Sequence, residues 1–448
     1  MSTEALTKEL DFFQSQVNLL LLTRDRFGLF ARHPGEKPAE KREKIFLRMV
    51  LAGEGLPNVS AHREDLVAGI AIGDIIVGTL IPRLFQDISL IDQLVTPYLG
   101  NKAMNYLQKY IAHHGMETHD PVISRTDMLL SNVGLKALEI NPDGPEGFTL
   151  SWAREQIDQQ FNPNERQTPT NGLWRWYINS FETVISRYER ENGKKPRVII
   201  PYNHRGTMED IDSFAILQLL TVKGYDVVAK PLNQISGEDA ADFDLALKTF
   251  AVGWSDWEKD ADTPFFTDDR WTSKKIYPPP WVDAASLKHF IALLWRSTYD
   301  LQFRHAWGIS DQQIAGIKKV MLPTYSTYFH THEEITRAYY YNGNGAGGVA
   351  KGNYSSHGDE FREDKVLERV LSGNHILQKK VTDASRTGPI VVMHPDGSIS
   401  KETGWLIDMC PMGVMPDDNL IVISRMCPQH PMNIAGPNGG GFIHPRVN

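Results

Sequence analysis

The sequence predicts a mixed α/β protein of α+β character, in which a helical N-terminal region precedes a β-hairpin and a strand, helix, strand unit. Three observations predict it. Residues 4 to about 115 repeat apolar side chains at helical spacing, as in Leu10, Phe13, Val17, Leu20 and Leu21. Residues 121–141 hold two short apolar-rich runs joined by Ser131-Asn132-Val133-Gly134, whose Asn and Gly suit a tight reversal. Residues 197–231 hold two extended runs, RVIIP and DVVAKP, separated by a helical stretch long enough for a parallel crossover.

In chain order, residues 34–42 and 53–58 read as connectors and residues 88–111 as further helix. The apolar window Leu66 to Phe85 contains Asp74 and Pro82, so it is expected to be buried core and not a membrane span. A polar stretch at 159–171 leads to a helix at about 174–190, with Trp176, Phe181, Val184 and Ile185 on one face. The helix of the crossover ends near Gly224. Residues 251–282 read as a loop insertion or ordered lid, followed by a helix at about 284–296. The last third alternates helix and strand and contains two glycine-rich stretches, at 342–348 and 437–441.

The 448 residues suggest two or three structural units. With 47 Lys plus Arg against 55 Asp plus Glu, a formal charge of −8, the chain lacks the basic excess of a phosphate-backbone binder, so no nucleic-acid partner is expected. Two cysteines, Cys410 and Cys427, make no disulfide framework. The N-terminus lacks the charged and apolar regions of a signal peptide, so the expected location is cytoplasmic, with no membrane partner.

Chemistry enters with the hairpin. Arg125 and Asp127 lie two apart on its first strand, and Glu139 and Asn141 two apart on its second. Side chains alternate along a strand, so each pair leaves from one face. If the turn sets the register, one cation and three oxygen donors converge. Such donors suit Mg²⁺, and an Arg beside them would neutralise phosphate oxygens. Surface charge on any hairpin offers similar pairs, so spacing alone leaves both readings open. The stretch 342–348 could bring backbone N–H groups to phosphate, or form a flexible turn; it is neither a Walker A loop nor GxGxxG. Asn374 to Val381, NHILQKKV, reads as a strand running to a hinge.

Taken in order, these parts resemble the glutathionylspermidine synthase-like, circularly permuted ATP-grasp ligases. In that family a metal-binding hairpin lies early, as RxD followed twelve residues on by ExN, and Arg125, Asp127, Glu139 and Asn141 stand at that spacing. IIPYNHRGTMEDIDSFAILQLLTVKGYDV resembles the strand-helix-strand pre-ATP-grasp unit, and KKVMLPTYSTYF the segment before the grasp subdomain. YYYNGNGAGGVAKGN resembles the glycine-rich phosphate loop, GNHILQKKV the strand entering the adenine hinge, and ISRMCPQHPMNIAGPNGGGFIHP the closing strands. The similarity covers roughly residues 118–448.

The resemblance implies an ATP-grasp fold, circularly permuted. It has a helical N-terminal region (1–117), a metal-binding hairpin plus helix (118–192), a pre-ATP-grasp α/β unit (193–310) and grasp subdomains (311–448). It implies ATP and Mg²⁺ as cofactors and a carboxylate-amine ligase acting through an acylphosphate on small-molecule substrates of amino-acid, peptide or polyamine type. Asp127, Glu139 and Asn141 would hold Mg²⁺ and Arg125 the transferring phosphoryl group. Gly345, Gly347, Gly348, Lys351, Gln378 and Lys379 would meet ATP, while Arg425 and Asn433 would meet substrate or phosphate. Asn203, His204 and Arg205 could meet an acidic substrate, or merely end a strand and cap the next helix.

One departure matters. The family has Lys-Pro where this chain has Tyr341-Asn342, and Tyr supplies no permanent charge. Either Lys351, Lys379 or Lys380 reaches the phosphates instead, or nucleotide binding is weakened or lost. The second expectation is therefore a degenerate ATP-grasp protein that binds without catalysis, and the third a phosphotransferase on the same fold. A homo-oligomer is compatible with the sequence. His330, His332 and Glu333 could ligate a metal, but Thr331 with Glu334 fits a helix capping box. The cysteines sit in apolar surroundings where cysteine mostly packs.

Overall fold

The computed structural model describes residues 49–53, 58–116, 122–142, 148, 173–202, 208–249, 263–341, 348–352, 363–393, 399–413, 421–428 and 441–443. Their strands form three sheets. The large one has eight strands in the order β12-β11-β1-β15-β14-β13-β2-β3. In chain order these are β1 (Met49–Gly53), β2 (Ser124–Ser131), β3 (Gly134–Asn141), β11 (Ile390–Met393), β12 (Ile399–Glu402), β13 (Leu406–Gly413), β14 (Ile421–Cys427) and β15 (Gly441–Ile443). A parallel sheet has the order β5-β4-β6-β7, with β4 (Val198–Tyr202), β5 (Val227–Pro231), β6 (Leu245–Leu247) and β7 (Lys275–Tyr277). A small antiparallel sheet is ordered β8-β10-β9, from β8 (Thr324–Tyr325), β9 (Gly348–Gly352) and β10 (His375–Lys379).

The helices that bear on these sheets are α1 (Arg63–Ile75), α2 (Ile88–Leu94), α3 (Thr96–His114), α4 (Leu173–Asn192), α5 (Met208–Val222), α6 (His289–Ser297), α7 (His332–Tyr341) and α8 (Glu363–Leu371). The apolar window that begins in α1 runs on through Ile76–Leu80 and Ile81–Phe85, and it is long and apolar enough to cross a membrane. Here α1 lies against β2 and β13, with Leu66, Ile72, Ile76, Leu80 and Ile81 buried in the main core. Two glycines permit the close approach. A Cβ on Gly69 would come 2.5 Å from Met128 Sδ, and one on Gly73 would come 2.5 Å from Ser124 Oγ. Thr126 Oγ1 then donates to the Gly69 carbonyl at 2.8 Å, inside the contact the glycines open.

The expected crossover is present as β4, α5 and β5, with Gly224 in a left-handed conformation (φ 80°) after the helix. Helix α4 packs on this parallel sheet, where Tyr177, Phe181, Val184 and Ile185 meet Val198, Ile200 and Tyr202. The small sheet has its own core of Ile335, Ala338, Ala350, Val366, Val370 and Leu377 from α7, α8 and its strands.

Strand β1 falls within the mostly helical N-terminal region and takes its form from pairing with β11 and β15. Two expectations need correction. Residues 263–282 are not a loop insertion. They bury Phe265, Phe266, Trp271 and Trp281 and supply β7, the edge of the parallel sheet; residues 251–262 lie outside the described residues. The helix expected from 284 begins at His289, because Pro280–Ser286 forms a tighter 3₁₀ turn.

Candidate functional site

The hairpin sets the expected register. Arg125 stands opposite Asn141 and Asp127 opposite Glu139, so the four side chains leave one face of the β2–β3 pair. Ser124 and Thr126 alternate to the other face, where they meet α1. Between Asp127 and Met128 the register shifts, because β3 holds one extra residue, Leu138, a β-bulge that turns its carbonyl out of the ladder.

Two further strands bring groups to this face. Asp408 on β13 stands opposite Arg425 on β14. Arg125 Nε donates to Asp127 Oδ1 at 2.7 Å and its Nη2 to Oδ2 at 3.2 Å. Arg425 Nη2 donates to Asp127 Oδ2 at 2.8 Å and also to Asp408 Oδ2. Cys410 Sγ donates to the other oxygen of Asp408 at 2.8 Å. Burial alone would push both carboxyls up. At Asp127 the two guanidiniums outweigh it and hold the group well below the usual carboxylate range. At Asp408 burial, reinforced by the Asp127 charge, keeps the pKa raised despite Arg425. Burial likewise pushes the Cys410 thiol well up.

The small sheet faces the bulge. Lys351 Nζ on β9 lies 3.4 Å from the Leu138 carbonyl, and Gln378 Nε2 on β10 donates to the same oxygen at 3.2 Å and to Thr324 Oγ1 at 3.3 Å. Burial lowers the Lys351 pKa, opposed by the charge of Glu139 and reinforced by that of Lys288. Lys288, just before α6, places Nζ 3.4 Å from Glu139 Oε2. Two donors in this cluster are buried without a partner among the described residues: Asn141 Nδ2 and Arg425 Nε. Two sheets thus close on a face crowded with carboxylates and cations, and hydrogen-bonding capacity is left over there.

No protein-family model and no curated protein sequence matches the chain. Solved structures do. A glutathione synthetase-like effector from Globodera pallida, in its apo form, matches over 90% of this chain and 90% of its own, with a TM-score of 0.54 and 12% identity. A gamma-glutamylcysteine synthetase candidate from Methylobacillus flagellatus matches over 77% and 85% at 12% identity, with a TM-score of 0.31. The fold of this chain is thus similar to that of the glutathione synthetase-like effector.

Within this fold the hairpin carries Arg125, Asp127, Glu139 and Asn141, and the small sheet carries Lys351 and Gln378. Gly348 opens β9 opposite Lys379, and a Cβ there would come 2.8 Å from the Gln378 carbonyl. Lys379 is exposed at the end of β10, and none of its described contacts reaches the carboxylates. Gly345, Gly347, Asn203, His204, Arg205 and Asn433 lie outside the described residues. Sequence reasoning missed Lys288 and Asp408. The available signals were a Lys beside an apolar helix start and an Asp inside the buried run Leu406–Gly413. His330 is buried, bonded to Tyr299 Oη at 3.0 Å, and Thr331 with Glu334 forms the capping box at 2.7 and 3.2 Å, so this trio serves the fold.

Proposed function

We propose that the chain is an ATP-dependent carboxylate-amine ligase acting on small amino-acid, peptide or polyamine-type substrates. The observation that carries the reading is the register of the hairpin, which sets Arg125, Asp127, Glu139 and Asn141 on one face beneath Lys351 of the opposing sheet. Asp127, Glu139 and Asn141 offer the hard oxygen donors that Mg²⁺ takes. Bound there, the ion would neutralise charge on the nucleotide's terminal phosphates. Lys351 and Lys288 are the buried cations that answer for Tyr341, which carries no charge at neutral pH.

In the proposed reaction a substrate carboxylate oxygen attacks the γ-phosphorus while the bond from phosphorus to the β,γ-bridging oxygen breaks and ADP leaves. An amine nitrogen then attacks the acyl carbon of the acylphosphate. Phosphate departs with its bridging oxygen, and the nitrogen gives up a proton. Arg125 and Arg425 would hold phosphoryl oxygens as charge shifts, and Asn141 Nδ2 and Arg425 Nε are donors that an anion would satisfy.

Tyr341, together with the description of the matched Globodera protein as an effector, supports a second reading: a nucleotide-binding protein without turnover. The two separate on ADP release when carboxylates and amines are added in pairs. Turnover that Asp127→Ala and Glu139→Ala each abolish, with the far-UV circular dichroism unchanged, is the expected result. Persistent absence of ADP release alongside ATP binding would favour the second reading.

A further inference from the structure

Both oxygens of Asp127 are already engaged. Oδ1 accepts from Arg125 Nε, and Oδ2 accepts from Arg125 Nη2 and from Arg425 Nη2, which uses both of its lone pairs. The Asp127 side chain is only 7% exposed, so water does not stand in for these partners. The cluster holds three carboxylates, Asp127, Glu139 and Asp408, and four cations, Arg125, Arg425, Lys288 and Lys351. A divalent cation arriving alone would add charge to a face already rich in it. A polyphosphate arriving first would reverse that balance.

Arg425 is the movable member. A single nitrogen, Nη2, serves both Asp127 and Asp408, while its Nε is buried with no partner among the described residues. A guanidinium held at one corner can rotate to give a phosphate two parallel hydrogen bonds. If it left Asp127 with no second carboxylate nearby, it would stand partly unpaired in a buried site, at considerable cost. Asp408 is that second carboxylate.

Resting on the nucleotide-binding reading above, we propose that Arg425 closes Asp127 to divalent cations in the nucleotide-free protein. Asp408 is then a positioning residue that keeps Arg425 paired once phosphates and cation take Asp127. Cation binding is thereby conditional on the nucleotide, and by linkage the nucleotide gains affinity from the cation by the same factor.

The test uses the full chain and Mn²⁺, whose free and bound forms differ in electron spin resonance. Without nucleotide the wild-type protein should leave Mn²⁺ free at concentrations where Arg425→Gln holds one equivalent, a difference of at least about tenfold. In calorimetry with ADP, Asp408→Asn should lose at least about tenfold of the gain that Mn²⁺ gives the wild-type protein. Its affinity for ADP without a cation should not fall. A wild-type protein that takes up one Mn²⁺ at this site without nucleotide overturns the inference, and that measurement decides even if Arg425→Gln does not fold. Full retention of the cation-dependent gain in Asp408→Asn overturns the role of Asp408. ADP that binds under none of these conditions defeats the nucleotide reading itself, and the inference with it.

Discussion

His289 is buried at the start of α6 among the rings of Tyr98, Phe290, Tyr328 and Phe329, and neither ring nitrogen has a partner among the described residues. Burial lowers its pKa to about 3, against 6.5 in the unfolded chain. The unfolded state therefore binds the proton more readily between those values. The neutral imidazole contributes stability that is present above pH 6.5 and lost as the pH falls toward 3, with a slope of about 1.4 kcal/mol per pH unit. His330, lowered by burial to about 4, acts in the same direction. His289→Phe should flatten the fall of the urea midpoint between pH 6.5 and 4.5; slopes identical to the wild type would contradict this account. At the residue scale the sequence exposed those groups whose neighbours are local. Arg125, Asp127, Glu139 and Asn141 share one hairpin, so alternation along each strand and the register between the two put them on one face. Asp408 and Lys288 come from segments far along the chain, and no local period says that β13 lies beside β2 or that the Pro280–Ser286 turn delivers a lysine to β3.

Elements show the same division. The hairpin, α4 and the β4, α5, β5 crossover follow from local pattern and turn chemistry, and they stand where expected. Strands β1 and β7 are short, and they are strands because of what they pair with. The bulge at Leu138 was also illegible, yet it aims the carbonyl that Lys351 and Gln378 share. Helix α1 offers a test of how element packing decides the sign of a substitution. Glycine inside a helix is worse than alanine by about 1 kcal/mol. Gly78, further along the same helical run, is exposed, and a Cβ there would meet nothing within 4 Å, so Gly78→Ala should raise the melting temperature. Gly73 faces Ser124 and Ile140, so Gly73→Ala should lower it, with overpacking costing about 1–3 kcal/mol against the helical gain. Thermal unfolding of the two variants checks both signs, and shifts in the same direction would refute the packing argument.

At the scale of the whole molecule, β1 sits in mid-sheet, antiparallel to β11 and parallel to β15. Deleting residues 49–53 would leave β11 and β15 with unpaired edges in the middle of the large sheet. The truncated chain should aggregate on expression, and a monomeric product with a wild-type melting temperature would show that the gap closes. The same strand orders events at the ribosome. Met49 is made 344 residues before its partner Met393 and 393 residues before its partner Phe442. At about 5–20 residues per second the nascent strand waits roughly 20 to 70 seconds for Met393 alone. During that interval five residues destined for the centre of a sheet have no native neighbour, so production in cells should depend on whatever shields a half-made chain.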